Sequence, residues 1–345
     1  MGDLELPGDV RVALSHAAAY GVAAILEDDG AVAVTIAWTG SLDARAIVSV
    51  PGTDLDGIGE AVRAHAQRHA GARSWTAATA DVGGKIVGRL SPRVAAPPDD
   101  AGWRDLVRLR RETLDAAVAD RAWLDTALVG ALGEPAYWRF DSQGKRRPDE
   151  GASRWEMKTR NRGEDFVAHR LRPLGLAVAA RSADRVRDGL TGARVEDEAG
   201  GNALDSRTAT GLASPGPTDN ALAWCALWGL SLMPVAARLG QQSASAGHGW
   251  ARAMAGGPRE YSFHLPVPAV PVTLARLATV IASEQLAVAA AGAATPAEDL
   301  ATRSARQWLA ERGIGSLVRL PIGVFGSASA PERRALLGTV FPVAP

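Results

Sequence analysis

Apolar and polar positions in the first ninety residues alternate between helical and strand-like periods. Small apolar residues over 15–26 repeat with a helical period, whereas Val and Ile alternate with smaller residues over 31–38, as in a half-buried strand. The predicted elements are helices at 15–26 and 54–70, strands at 31–38 and 45–50, and a hairpin whose strands, 75–80 and 85–90, flank residues 81–84. Together they predict an α/β module covering residues 1–95.

The chain beyond a proline-rich linker at 91–102 is dominated by helical periods. Helices are predicted at 103–132, 154–183, 220–232, 274–291 and 296–312, with short strands and turns after them. Residues 189–220, rich in Gly, Pro, Ser and Thr, form a long loop, and three prolines restrict 261–273 to an edge strand at best. The predicted fold class is α+β, with a mainly helical domain at 103–345 that contains a few strands.

Composition is that of a globular chain, since 47% of the 345 residues are hydrophobic and 22% are charged. The formal net charge is zero, so binding of a polyanion must depend on a local cluster of basic residues. The start of the chain lacks the regions of a signal peptide, and the longest uncharged run, 221–237, is short for a membrane span. We therefore expect a cytoplasmic protein without a membrane partner.

Motifs that usually indicate catalysis or metal binding are incomplete in this chain. A single cysteine, Cys225, excludes intrachain disulfides and cysteine-clustered metal sites. His65 and His69 lie one helical turn apart, but the zinc-protease pattern needs a glutamate where Ala66 stands. We expect this histidine pair to lie on a solvated helix surface, and we expect no metal, no cofactor and no catalytic residue.

Three further features favour ordinary structural roles. Gly83-Gly84-Lys85 lacks the upstream glycine and the following Ser or Thr of a phosphate-binding loop, which favours a hairpin turn. Cys225 lies in an apolar helix, where a thiol is usually inert packing. His16 and His264 stand in apolar surroundings and are expected to be core residues.

The segment from Trp138 to Arg172 differs from the rest of the chain because its charge is unbalanced. Residues 139–162 hold eight basic residues and four acidic ones. Clustered cations suit a phosphate backbone, and an aromatic ring beside them suits stacking on an unpaired base. The candidate nucleic-acid contacts are Lys145, Arg146, Arg147, Arg154, Trp155, Lys158, Arg160, Asn161 and Arg162, together with Arg207 in the 189–220 loop.

These basic residues are expected in two places. Residues 145–147 are predicted in an exposed turn, and Arg154, Lys158 and Arg162, spaced four apart, on one helix face. Because acidic residues lie nearby, a salt-bridged surface helix is the competing interpretation. The 189–220 loop leads into a helix N-terminus that favours anions, and its groups suited to phosphates or base edges are Asn202, Ser206, Arg207, Thr208 and Thr210.

A family resemblance rests on three stretches: His16–Leu26, Arg154–Arg162 and Pro217–Gly229. They resemble a CRISPR-associated effector protein of subtype I-G (formerly I-U), a Cas8-like large subunit of the Cascade surveillance complex, and the likeness spans roughly residues 10–320. The resemblance implies a non-catalytic subunit that contacts guide RNA and target DNA and helps recruit the helicase–nuclease. Its other partners would be further CRISPR effector subunits, and its protein surface would read a short motif beside the target. Because 345 residues is short for a large subunit, a fused or accessory role stays open.

Two other functions stay open at this point. An enzyme with an unfamiliar active site would need a pocket with convergent polar groups, for instance around His65 and His69. A scaffold subunit would dock a partner protein through the apolar helix that carries Trp224 and Trp228. Complete burial of both tryptophans in the chain's own core would count against the scaffold.

Overall fold

The computed structural model describes residues 2–40, 43–82, 84–92, 94, 97–132, 138–140, 142–148, 166–206, 211–233, 261–292, 299–327 and 330–343. Its helices are α1 (Ala13–Asp28), α2 (Leu55–Ala70), α3 (Asp100–Ala119), α4 (Trp123–Leu132), α5 (Arg172–Ala179), α6 (Ala183–Thr191), α7 (Asn220–Gly229), α8 (Leu274–Ile281), α9 (Glu284–Gly292) and α10 (Leu300–Ala310). Its strands are β1 (Gly2–Glu5), β2 (Thr35–Trp38), β3 (Ala46–Val50), β4 (Thr79–Val82), β5 (Lys85–Gly88), β6 (Trp138–Phe140), β7 (Arg146–Pro148), β8 (Tyr261–Pro268), β9 (Val272–Thr273), β10 (Ile314–Ser327), β11 (Ala330–Ala335) and β12 (Thr339–Pro342). Single helical turns lie at Trp75–Ala77, Val167–Leu171, Glu198–Gly200 and Leu230–Leu232. The predicted α+β class is confirmed.

The first sheet is antiparallel and has the strand order β1-β3-β2-β9. Leu4 and Ile36 lie opposite Val48 in the register, and all three side chains are buried. Buried and half-buried positions alternate along β3, as the period of two requires. The two predicted strands are therefore present. Strand β1 was not predicted, and β9 is the end of the segment 261–273 that was predicted as an edge strand.

Helices α1 and α7 approach each other closely because glycines lie at their contact. A β-carbon on Gly21 would fall 1.7 Å from the carbonyl oxygen of Cys225. One on Gly229 would fall 1.9 Å from the carbonyl oxygen of Ala17. Only a residue without a side chain fits at either position. Helix α1 is buried on all sides from residue 13 to residue 26, and α7 is buried on all sides from residue 220 to residue 229. The burial of α7 confirms the prediction that 220–232 forms a buried core helix.

The largest hydrophobic core extends across the predicted domain boundary. It includes Leu4 and Ile36 from the first part of the chain and Trp224, Phe263 and Leu320 from the second. Two smaller clusters lie between hairpin β4–β5 and α3, and between α8, α9, α10 and β10. The division into 1–95 and 103–345 stays a prediction, while the packing joins both parts in one core.

The region after residue 312 contains a long strand, so the prediction of short strands and turns there is wrong. Strand β10 runs for 14 residues and pairs with β8, β11 and β12. Pro321 and Gly323 disfavour strands locally, but pairing on both sides of β10 overrides that preference. The edge strand predicted at 261–273 forms two strands: within the described residues β8 pairs with β10 alone, and β9 pairs with β2 alone in the first sheet.

Two predicted helices are each divided by a short break. The stretch 103–132 forms α3 and α4, which are separated at Arg121, where φ is +58°. The stretch 274–291 forms α8 and α9, which meet at a bend of 63°. In the part of the chain that the structure describes, no single helix combines the length and the apolar composition of a membrane span, although this bent pair does so jointly.

Candidate functional site

Strands β6 and β7 form a two-stranded antiparallel hairpin in the predicted basic segment. Arg139 pairs with Arg147, and Phe140 pairs with Arg146. Gly144 lies between the strands with a φ of +73°, a left-handed conformation that glycine adopts without strain. The pairing therefore brings three arginines into one short ribbon.

Exposed side chains lie at the turn end of this hairpin. Lys145 follows the turn in an exposed position, as predicted. Phe140 is 63% exposed, although a ring of this size gains free energy from burial. Arg146 and Arg147 were expected in the turn itself, but they lie in β7, because strand pairing begins directly after Lys145.

The remaining predicted contacts lie outside the described residues. They are Arg154, Trp155, Lys158, Arg160, Asn161, Arg162 and Arg207, together with Thr208 and Thr210 of the loop. The arrangement of Arg154, Lys158 and Arg162 on one helix face therefore stays a prediction, as do the contacts of the other residues.

The predicted loop at 189–220 is held by a buried arginine. Arg181 donates from Nη1 to Asp219 at 2.9 Å, from Nε to Glu198 at 2.9 Å, and from Nη2 to the carbonyl oxygen of Glu196 at 2.6 Å. Its side chain is almost completely buried, and each of its three nitrogens has an acceptor. Charge-assisted contacts of this kind fix the geometry of the segment that they join.

Polar groups that were expected to contact phosphates have roles inside this loop. The side-chain oxygen of Asn202 accepts the backbone N–H of Asp197 at 2.8 Å, and Ser206 is buried. Asp219 caps α7 by accepting the backbone N–H of Ala221 at 2.8 Å. The expectation of an anion site at this helix N-terminus is therefore wrong, because a carboxylate of the chain already occupies it.

The expected core residues are indeed buried. His16 donates from Nε2 to the carbonyl oxygen of Val10 at 2.7 Å, and burial lowers the pKa of its imidazole to about 4. His264 is 3% exposed. Cys225 is buried too, and burial raises the pKa of its thiol, which makes it a poor nucleophile.

The backbone N–H of Gly84 donates to Asp81 at 2.8 Å, which confirms the predicted hairpin turn.

His65 and His69 are buried, so the prediction of a solvated helix surface is wrong. Their exposed fractions are 0% and 6%. Both follow Ile58 and Val62 on the face of α2 that packs into the core. The spacing of three and four residues from Ile58 to His69 is that of one buried helix face. The prediction failed because it treated an imidazole as a surface group.

The two nitrogens of His69 both face acceptors. Nε2 lies 2.7 Å from Oδ1 of Asp125, and Nδ1 lies 2.8 Å from the carbonyl oxygen of His65. The indole N–H of Trp75 donates to the same oxygen of Asp125. In this arrangement His69 joins α2 to α4, and both of its ring nitrogens are engaged within the chain.

His65 is neutral and is enclosed by tryptophans. Its Nδ1 accepts the indole N–H of Trp224 at 3.2 Å, and its ring stands at 86° to that of Trp228, with the centroids 4.5 Å apart. Burial, with the nearby charges of His69 and Arg68, holds the pKa of His65 well below its usual value. Trp224 and Trp228 are both 0% exposed, which argues against a docking role for α7.

A cleft of about 650 Å³ opens beside His69. It is bounded by the ends of α1 and α2, by the turn that carries Trp75, by Arg89 after β5, and by the α3–α4 junction. Its lining residues with ionisable side chains are Asp28, Arg68, His69, Arg73, Arg89, Glu112, Asp120, Arg121 and Asp125. Burial raises the pKa of Asp28, and the charge of Asp125 adds to this effect against the opposing charge of Arg68. Within the described ranges, no three His, Cys, Asp or Glu residues are grouped to hold a metal ion.

Comparisons with family models, with curated proteins and with solved structures returned no match to this chain. The functional conclusions therefore rest on the geometry of the hairpin and the cleft, and the family resemblance stays a prediction.

Proposed function

We propose that this chain is a non-catalytic nucleic-acid-binding subunit of a cytoplasmic RNA-guided surveillance complex, and that hairpin β6–β7 contacts the nucleic acid. The observation that carries the binding role is the exposed ring of Phe140 in a strand that pairs with a basic strand. A two-stranded ribbon is one of the shapes that fit a nucleic-acid groove, and an exposed ring also stacks on unpaired bases. The surveillance complex, with guide RNA, target DNA and a helicase–nuclease as partners, is what the sequence resemblance implies.

Electrostatics sets the expected strength of this interaction. The net charge of the chain is zero, so attraction to a polyanion depends on the local concentration of cations. If Arg139, Lys145, Arg146 and Arg147 each neutralise one phosphate of a single strand, the logarithm of the binding constant falls with the logarithm of salt concentration with a slope of about −3. Binding by bulk charge alone would give no such slope for a neutral chain.

The arrangement of the buried histidines favours a binding role over the alternative of an unfamiliar enzyme. Both nitrogens of His69 are engaged with acceptors, and His65 is enclosed by Trp224 and Trp228. A general base needs a nitrogen within reach of a substrate proton. Neither imidazole meets this requirement.

Fluorescence anisotropy with labelled single-stranded DNA, RNA and duplex, measured over a range of salt, tests the binding role. The triple variant Lys145→Glu, Arg146→Glu, Arg147→Glu is expected to lose most of its affinity and of its salt slope. A triple variant of the same charge change, Arg104→Glu, Arg276→Glu, Arg303→Glu, at exposed positions in α3, α8 and α10, is the matched control. Equal losses in both variants, or no salt-dependent binding by the intact chain, would overturn the proposal.

Phe140→Ala tests the stacking contact separately. Stacking of one base contributes about 1–3 kcal/mol, so affinity for single strands is expected to fall at least about fivefold. Leu204→Ala is the control, since Leu204 is 89% exposed and lies in another part of the chain. Co-purification with a guide RNA and with the products of neighbouring genes tests the surveillance complex, and a chain that purifies free of both would contradict that part.

A further inference from the structure

The cleft beside His69 is lined by four arginines and four carboxylates. Three of its four carboxylates are already engaged: Asp28 with Arg68 at 2.9 Å, Glu112 with Arg108 at 2.9 Å, and Asp125 with His69 at 2.7 Å. Asp120 is the remaining one. Within the cleft, these pairs engage Arg68 and His69.

Three arginines line the same cleft without a carboxylate partner among the described residues: Arg73, Arg89 and Arg121. Arg89 donates from Nε to the carbonyl oxygen of Thr79 at 2.8 Å, which fixes its side chain without neutralising it. Asp120 is the one lining carboxylate without an ion pair among the described residues, so these three arginines have at most one carboxylate to share. Several such cations inside a concave site attract an anion.

Trp75 gives this cleft an aromatic wall that is fixed in place. Its indole N–H donates to Asp125, and its ring lies 6.4 Å from those of His69 and Trp228 at steep angles. The ring is partly exposed and lines the cleft. Because its only polar atom is already engaged, it can offer a ligand only its aromatic surface, at little cost in conformational entropy.

We propose that this cleft binds a nucleoside phosphate, with the phosphate group on Arg73, Arg89 and Arg121 and the base against Trp75. Arginine forks match phosphate geometry, and an aromatic ring matches the flat face of a base. A volume of about 650 Å³ lies within the range of sites for ligands of this size. Asp120 supplies an acceptor for a ribose hydroxyl. The site is separate from hairpin β6–β7 and does not depend on the function assigned to it.

Isothermal titration calorimetry with AMP, GMP, CMP and UMP tests this site, with inorganic phosphate and adenosine as partial ligands. At least one nucleotide is expected to bind at least about tenfold more tightly than either partial ligand, since both halves of the site contribute. Absence of binding by every nucleotide would overturn the proposal. Equal affinity for inorganic phosphate would contradict the contact with Trp75, and equal affinity for adenosine would contradict the arginine contacts.

Variants separate the two halves of the site. Arg73→Ala combined with Arg89→Ala is expected to weaken nucleotide binding at least about tenfold, whereas Arg276→Ala combined with Arg303→Ala is the control and leaves it unchanged. Trp75→Phe keeps an aromatic face and is expected to keep binding, whereas Trp75→Leu is expected to lose nucleotide binding and to retain that of phosphate. If Trp75→Leu does not fold, the arginine variants alone decide, and unchanged binding in them would overturn the proposal.

Discussion

His69 and Asp125 join helices α2 and α4 through a contact of 2.7 Å between Nε2 and Oδ1. The two residues are separated by 56 positions in the sequence. The same carboxylate oxygen accepts the indole N–H of Trp75, so one aspartate orders three elements around the cleft. The contact places a largely buried hydrogen-bonded pair in the lining of the cleft, where it can be tested by substitution.

Asp125→Asn is expected to destabilise the fold by about 1.5–3 kcal/mol, the usual net contribution of a hydrogen bond to a charged group. The amide keeps an acceptor oxygen but removes the negative charge that Nε2 of His69 and the indole N–H of Trp75 face. Urea unfolding measures the loss. Asp115→Asn on the exposed face of α3 is the control, expected to change stability by less than about 0.5 kcal/mol. Equal stability of both variants would show that the pair contributes nothing.

Gly21→Ala is expected to destabilise the fold by about 3 kcal/mol or more, because the new methyl group overlaps a backbone carbonyl of α7 and the helices must separate. Gly130→Ala is the matched control, since a β-carbon there meets no atom within 4 Å and α4 gains helix propensity. Thermal unfolding of the two variants should therefore shift the melting temperature in opposite directions. A stable Gly21→Ala variant would contradict the close approach of α1 and α7.

Stability is expected to fall as the pH is lowered from 7.5 to 5. Burial lowers the pKa of His16 from its usual 6.5 to about 4, so between these values the unfolded chain binds the proton and the folded chain does not. Above about pH 6.5 both states of the chain carry a neutral His16, and the free energy of unfolding is unaffected. Below that pH the free energy of unfolding falls progressively toward pH 4, by about 2 kcal/mol at pH 5. The lowered pKa of His65 acts in the same direction. His16→Gln should flatten the profile measured by urea unfolding, and stability that rises on acidification would contradict this account.

Arg181→Met is expected to destabilise the fold by about 3–5 kcal/mol, because it leaves the buried carboxylate of Asp219 without a counter-charge. Arg181→Lys should not restore it, since an ammonium group cannot reproduce the forked contacts to Asp219 and Glu198. Limited proteolysis across residues 192–206 reports the loosening of the loop. Arg194→Met is the control, because its ion pair with Glu196 is largely exposed on the arginine side and is worth at most about 1 kcal/mol.

Helix α2 shows how far local sequence determines this fold. The prediction of a helix at 54–70 agrees with the structure, where Asp54 accepts the backbone N–H of Gly57 at 2.9 Å as a cap. The apolar residues Ile58 and Val62, four positions apart, indicate the buried face of this helix in the sequence. The burial of His65 on that face depended on Trp224, which is 159 positions away, and no local pattern contains that information. Strand β10 was missed for the same reason, since its pairing partners decide its conformation.

The two candidate sites differ in how much the sequence revealed of them. The basic hairpin is local, so its charge and its glycine turn were visible, and its three-residue strands were too short and polar to predict. The cleft is assembled from separate stretches of chain, and Asp125 meets His69 only after α2 and α4 have packed together. Such a site becomes visible only in three dimensions.

Strand β9 has a consequence for biosynthesis, because it completes the first sheet from residues 272–273. Helix α7, which covers α1 at Gly21, is also translated long after the first module. At about 5–20 residues per second, the roughly 180 residues between position 95 and β9 take about 10–35 seconds to emerge from the ribosome. During this time the apolar surface of α1 lacks its native cover. We therefore expect nascent chains arrested before residue 220 to be bound by chaperones or to aggregate, and the released chain to fold only after synthesis has passed β9.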